Sequence, residues 1–186
     1  MKKKPAFQID VFRIEQPLYM VGRAVRVTHG TPECFPAIDT LWREFEADDV
    51  TSAIPDKADP VIPFGICSDH IPHGGDIIEF TYMRAALVRE RPADNQLPEG
   101  TICYAIPAGD FARIRVRAKN HDKAIGTAYI ELDKWLQSSE WEGIGDGYEV
   151  YTSRVYNPET KLYGDKWPRR YEMEKWEHVR PRRKRV

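Results

Sequence analysis

The sequence predicts an α+β fold made of two β-β-α-β-β modules, and three observations carry that prediction. Stretches of alternating apolar and polar residues recur along the chain, the mark of half-buried strands. Two other stretches space their apolar residues at three and four, the mark of helices with one buried face. The order strand-strand-helix-strand-strand then runs twice along 186 residues, in units too long and too few for a solenoid. Two such modules imply a mostly antiparallel sheet with the helices segregated to one side. They also imply a pseudo-twofold relation between the halves and a crevice where they meet.

FQIDVFRIEQ (7–16) alternates and stops at Pro17, and YMVGRAVRV (19–27) follows and ends at His29-Gly30. Thr31, or a residue just after it, caps a helix whose Ile38, Leu41, Trp42 and Phe45 share a face. VTSAIPDKADP (50–60) reads as a loop, and VIPFGICSD (61–69) and DIIEFTYMRAALV (76–88) pair across the turn-rich HIPHGG. After RPADNQLPEG (91–100) the order repeats as TICYAIP (101–107), DFARIRVRA (110–118) and a helix near 121–138 carrying Ile125, Tyr129, Leu132, Trp135 and Leu136. GYEVYTSRV (147–155), set off by a Gly-Asp-Gly turn signal, and YEMEKWEHV (171–179) complete it. The loop between them, 156–170, exceeds the roughly 2–5 residues of a hairpin connection. It carries Tyr156, Tyr163 and Trp167, so it is expected to fold over the domain and hide those rings from water. The domain is expected to span 8–179, with halves 8–88 and 101–179, a junction at 89–100, and basic tails at 1–7 and 180–186.

Hydrophobic residues make up 41% of the chain and aromatic ones 11%, which suits a packed domain. No apolar run reaches the roughly 18–20 residues of a membrane helix. MKKKPAFQIDVF has no apolar signal core or cleavage site, so a cytoplasmic location is expected. Eight of the 28 basic residues lie in the tails, and the remaining 20 face 29 acidic ones, which leaves the body near −9. An acidic body does not suit a DNA-reading surface, where phosphate neutralisation dominates affinity. The tail RPRRKRV reads as solvated.

Within GYEVY, strand alternation puts Glu149 and Tyr151 on one face and Tyr148 and Val150 on the other. Glu149 then either looks at water or lines a pocket. Trp42, Phe80, Tyr82, Tyr104, Tyr151 and Trp176 are the aromatic candidates for lining the crevice. Tyr82 and Tyr151 end in hydroxyls that need partners when buried, whereas the helical spacing of Trp42 and Trp135 also suits plain core packing. Asp69, His70 and His73 form one local cluster, short of the convergent set a metal requires, so no metal is expected. Cys34, Cys67 and Cys103 are scattered and read as small buried hydrophobes. Without a phosphate loop, a dinucleotide fingerprint or a G-x-S-x-G elbow, no cofactor is expected.

YMVGRAV (19–25), LPEGTICYAIPAGDFARI (97–114), DKWL (133–136), GYEVY (147–151) and YEMEKWEHV (171–179), in this order and spacing, resemble the GyrI-like small-molecule-binding domain. That is the effector-binding domain of bacterial AraC-type and MerR-type multidrug-sensing transcription regulators. The resemblance covers roughly residues 8–179. It implies two fused modules around a ligand cavity, with an acid at the cavity floor, here Glu149, that pairs with cationic lipophilic compounds among aromatic rings. Residues 1–7 are too short for a helix-turn-helix, so no direct DNA contact is expected. The expected function is that of a stand-alone sensor or sequestering protein for lipophilic, cationic, drug-like molecules. A second reading, also from the resemblance, is a hydrolase opening cyclopropanoid alkylating compounds with Glu149, Tyr82 and Tyr151 as its catalytic groups. A third is a protein-interaction module such as a gyrase inhibitor.

Overall fold

The computed structural model describes residues 6–165 and 171–183. The first module comprises β1 (Ala6–Ile14), β2 (Leu18–His29), α1 (Cys34–Ala47), α2 (Val50–Ala53), β3 (Pro63–Gly74) and β4 (Ile77–Val88). The second comprises β5 (Ile102–Ile106), β6 (Gly109–Ala118), α3 (His121–Ser138), β7 (Trp141–Val150) and β10 (Tyr171–Pro181). A small hairpin, β8 (Arg154–Asn157) and β9 (Leu162–Asp165), is inserted before β10. Eight strands form one sheet in the order β1-β6-β10-β7-β3-β4-β2-β5, and every adjacent pair is antiparallel. Exchanging β1 with β5, β2 with β6, β3 with β7 and β4 with β10 reverses this order and leaves it unchanged. The two modules also trade strands, since β1 pairs with β6 and β5 with β2.

Alternation assigns each strand one face to each of two cores. On one face, Ala124, Ala128, Leu132 and Leu136 of α3 pack against Ala112, Ile114, Val116 and Met173. On that same face, α1 sets Phe45 against Val21, Ala86 and Val88, and Leu41 against Val27 and Tyr82. On the opposite face, Ile14 of β1, Ile106 of β5, Met20, Phe64, Ile66, Met83 and Val150 form a single cluster. Since the two edge strands share this cluster, the sheet curls around it. Each such side chain, fully buried, contributes about 1.5–3 kcal/mol, which fixes the curl and holds the helices apart on the outer face.

Several expected boundaries move. The first helix is capped just after Thr31, as expected, at Glu33 and without a side-chain bond, while the Thr31 hydroxyl turns back to the Thr28 carbonyl at 2.9 Å. Residues 50–53, read as loop, make the short helix α2. HIPHG, read as a turn, extends β3 through two register shifts. Gly145-Asp146-Gly147, read as a turn, lies inside β7. The Glu177 carboxylate lies close over Gly143, 2.6 Å from where a Cβ would stand, and glycine within a strand commonly marks such an approach. GYEVYTSRV is two elements rather than one, broken at 151–153. β1 includes Ala6 and Phe7, and β10 runs on through Arg180 and Pro181, residues first assigned to the tails. The described part of the loop, 156–165, folds down: Tyr156 and Tyr163 are buried. Trp167, and the tail residues Lys2, Lys3, Lys4, Lys184 and Arg185, lie outside the described residues.

Candidate functional site

The two helices sit side by side over the central strands and leave a cleft of about 770 Å³ between them. α1 contributes Phe35, Ile38, Trp42 and Glu46 to its walls, and α3 contributes His121 and Ile125. Tyr82 of β4 and Glu149 of β7 form its floor, with Tyr151 and Tyr171 beside them and Arg154 at one end. Half of the apolar stripe on α1 therefore faces the cleft rather than the core. Phe35 is left 64% exposed at the cleft.

Glu149 is only 4% exposed. Its carboxylate accepts three phenolic O–H bonds: from Tyr82 at 3.0 Å and from Tyr151 on one oxygen, and from Tyr129 at 2.6 Å on the other. The Trp42 indole N–H donates in turn to the Tyr82 hydroxyl at 3.2 Å, and the Trp42 ring meets Tyr151 edge-on at 4.9 Å. His121 stacks on the outer face of Tyr151 at 5.9 Å. A buried charge must be paired or hydrogen-bonded, and here three hydroxyls stand in for the water that burial removes. Burial, reinforced by the nearby Glu149 charge, pushes the phenols of Tyr82, Tyr129 and Tyr151 well above their ordinary value, so all three remain donors. Gly65 of β3 makes room for this network, since a Cβ there would lie 2.4 Å from the Tyr82 hydroxyl and 2.5 Å from a Glu149 oxygen. Both carboxylate oxygens are thus hydrogen-bonded, in a cleft whose acids Asp39, Glu46, Asp122 and Glu149 outnumber Arg43 and Arg154.

Of the residues expected at the site, Glu149, Tyr151, Tyr82 and Trp42 converge. Phe80 does not line the cleft; it stacks on His70 at 5.7 Å. Tyr104 and Trp176 lie on the opposite face of the sheet. There the Tyr104 hydroxyl donates to Asp146 beside Tyr148, whose phenol burial pushes up to about 12. Trp176 packs on Phe12 and Phe64 and donates its indole N–H to Glu174 at 2.8 Å. Asp69, His70 and His73 diverge: His73 meets Glu79 at 3.0 Å and His70 faces Asp146 at 4.0 Å. Among the described residues no group of three or more His, Cys, Asp or Glu side chains is placed to hold a metal. Nor is any helix there long and apolar enough to cross a membrane. Tyr129, His121 and Gly65 were missed. Tyr129 was read as core; the residue is 40% exposed, and its hydroxyl reaches inward to Glu149. The signal was present in part, because His121, Ile125 and Tyr129 recur every four residues and so share one stripe of α3.

A curled antiparallel sheet carrying two helices on one face, with a buried acid among aromatics between them, has the form of a ligand-binding domain. The profile of the Cass2 family, integron-associated effector binding proteins, matches residues 16–172, and the chain belongs to that family. This agrees with the GyrI-like resemblance and makes small-molecule binding the class of its function. Among solved structures, the chain is similar to the integron cassette protein VCH_CASS2 from the mobile metagenome of Vibrio cholerae, at 16% identity, 96% of this chain, 100% of that one and a TM-score of 0.65. It is similar to SAV2435 bound to tetraphenylphosphonium, at 16% identity, 93% and 94% coverage and a TM-score of 0.62. It is similar also to the C-terminal domain of EcmrR, at 15% identity, 95% and 99% coverage and a TM-score of 0.59. No curated protein sequence matches the chain significantly.

Proposed function

We propose that the protein binds lipophilic organic cations in the cleft between α1 and α3, as a sensor or sequestering domain for drug-like molecules. The observation that carries this is the Glu149 carboxylate, enclosed at the floor of an aromatic cleft and held by the hydroxyls of Tyr82, Tyr129 and Tyr151. The three hydroxyls donate hydrogen bonds but no charge, and a lipophilic cation complements the acid while its apolar groups cover Phe35, Ile38 and Ile125. Ring faces of Trp42 and Tyr151 add roughly 0.5–2 kcal/mol for each good cation–π contact. SAV2435, a structure of the same fold, holds such a cation, tetraphenylphosphonium.

Calorimetric titration with tetraphenylphosphonium tests the reading. The wild-type protein is expected to bind it, and Glu149→Gln to weaken binding by about 1–3 kcal/mol, the range for interactions with a charged partner, while preserving the fold. A neutral ligand of similar shape should lose little. Equal affinity of the two proteins for the cation would overturn the proposal.

A further inference from the structure

We infer that Arg84 and Lys175, two cations buried on either side of Glu149, limit how tightly the cleft holds a cationic guest by subtracting from the pull of its floor. The inference rests on the cation-binding reading above. Lys175 of β10 pairs with Glu149 of β7, Glu149 with Gly65 of β3, and Gly65 with Arg84 of β4. The four residues therefore occupy one cross-strand row. Neighbouring strands lie about 4.8 Å apart, so both cations start within about 10 Å of the acid at the backbone. Arg84 is 0% and Lys175 6% exposed.

Neither side chain is spent on Glu149. The Arg84 guanidinium lies 4.2 Å from the ring centre of Trp42, 4.5 Å from Tyr163 and 5.0 Å from Phe45. It donates from Nη1 to the Ala85 carbonyl at 3.1 Å, and its Nε and Nη2 have no hydrogen-bond partner among the described residues. It is an aromatic cage already filled by the chain's own cation, and it occupies one face of the ring that a guest would use. Lys175 Nζ sits 4.7 Å from the centre of the Tyr129 ring and 2.7 Å from Glu177, directly behind a hydroxyl that holds Glu149. A purely structural role is the alternative for both. It predicts that removing either charge loosens the site, whereas the charge row predicts the reverse.

A unit charge about 10 Å away at an effective dielectric near 20 changes the affinity of a charged guest by roughly tenfold. A compact alkylammonium ion faces that repulsion together with the loss of strong hydration. A large delocalised cation gives up less hydration and is held by ring faces and apolar contact. The row therefore weakens the hold on any cation, and ring faces and apolar contact leave bulky aryl cations the tighter guests.

The test is titration of tetraphenylphosphonium, tetraethylammonium and neutral triphenylphosphine oxide against the wild type, Arg84→Met, Lys175→Met, Lys175→Arg and Glu177→Gln, with folding checked by circular dichroism. Arg84→Met and Lys175→Met are expected to tighten both cations about fivefold or more, by similar factors, and to leave the phosphine oxide unchanged. Lys175→Arg, which keeps the charge, restores the weaker binding. Glu177→Gln, which leaves Lys175 less compensated, weakens both cations, and this partly exposed position decides the matter if the methionine variants do not fold. Unchanged or weaker cation binding by the folded methionine variants, equal tightening for the neutral compound, or unweakened cation binding by Glu177→Gln would overturn the inference. Failure of the wild type to bind tetraphenylphosphonium would instead overturn the proposed function on which it rests.

Discussion

A carboxylate can be buried only where its lone pairs are met, and at Glu149 three phenols meet them. The space for that arrangement comes from Gly65, where even a methyl group would press into the Tyr82 hydroxyl and the carboxylate. Gly65→Ala is therefore expected to cost about 1–3 kcal/mol, the usual penalty for overpacking, and to weaken tetraphenylphosphonium binding alongside. A urea midpoint and a titration on the same preparation check this. Tyr129→Phe leaves one carboxylate oxygen without its donor and is expected to cost about 1–3 kcal/mol, most visibly in the ligand-free protein. The phenols also carry a pH signature. Their folded pKa values are raised by burial and by the Glu149 charge. Their stabilising contribution is thus fully present below the unfolded value near 10 and is lost as pH rises above it. Ultraviolet titration should show these three tyrosines ionising only as the fold is lost; reversible ionisation near pH 10 with native circular dichroism would contradict the buried network.

The hairpin β8–β9 is the element that completes the cleft. Arg154 reaches Glu46 of α1 at 3.3 Å, and Tyr163 closes the cage around Arg84 while sharing a hydrogen bond with Thr51 at 3.0 Å. Its anchor is Asp49, which accepts from Tyr156 at 2.8 Å and Ser52 at 2.7 Å and pairs with Lys161 at 2.8 Å. Partial burial opposes ionisation of Asp49, but the bonds from Lys161, Ser52 and Tyr156 prevail and hold its pKa at about 2. A carboxyl lowered in the folded state stabilises above its unfolded value near 4, and this contribution disappears as pH falls through about 2. The hairpin is expected to resist pepsin at pH 4 and to be cut near Leu162 at pH 2. Asp49→Asn should open it at neutral pH, seen as several-fold faster tryptic cleavage after Lys161, on the scale of one lost charged hydrogen bond. Unchanged cleavage would show that the tyrosines alone hold the hairpin.

At the scale of the whole molecule, the two modules are interlocked rather than juxtaposed. β1 completes the sheet of the second module and β5 that of the first, and one cluster on the inner face takes side chains from both edges. Neither residues 1–100 nor residues 101–186 should fold alone, because each would expose the strand position its partner fills. Circular dichroism of the separate fragments is expected to show unfolded chains, and mixing them should restore the native spectrum and tetraphenylphosphonium binding. A cooperatively folded half on its own would contradict this.

Local periodicity was enough to determine the order of the eight sheet strands and the two long helices, and the pairing of Glu149 with Tyr151 on one face, since each depends on residues a few positions apart. The 18 residues of α3 were legible to their ends, because Asn120 caps the helix locally through its bond from the Lys123 N–H. What the chain folds into at a distance was not legible. Tyr104 and Trp176 look as suitable for a cavity as Tyr82 does, yet strand register turns them to the inner face, and alternation along one strand says nothing about the facing of another. Phe80 shares the face of Tyr82 but lies beyond the cleft, because the cleft extends only as far as the two helices that wall it. Tyr129 reads as one more apolar position on α3; only the placement of that helix over β7 brings its hydroxyl to Glu149. Gly65, Arg84 and Lys175 carry no local signal at all, for they meet Glu149 through a row across four strands whose members lie up to 110 residues apart. Sequence determined the elements because hydrogen bonding and apolar spacing within an element are local; tertiary structure decided the site because strand order, register and helix placement arise from contacts between segments that the chain keeps far apart.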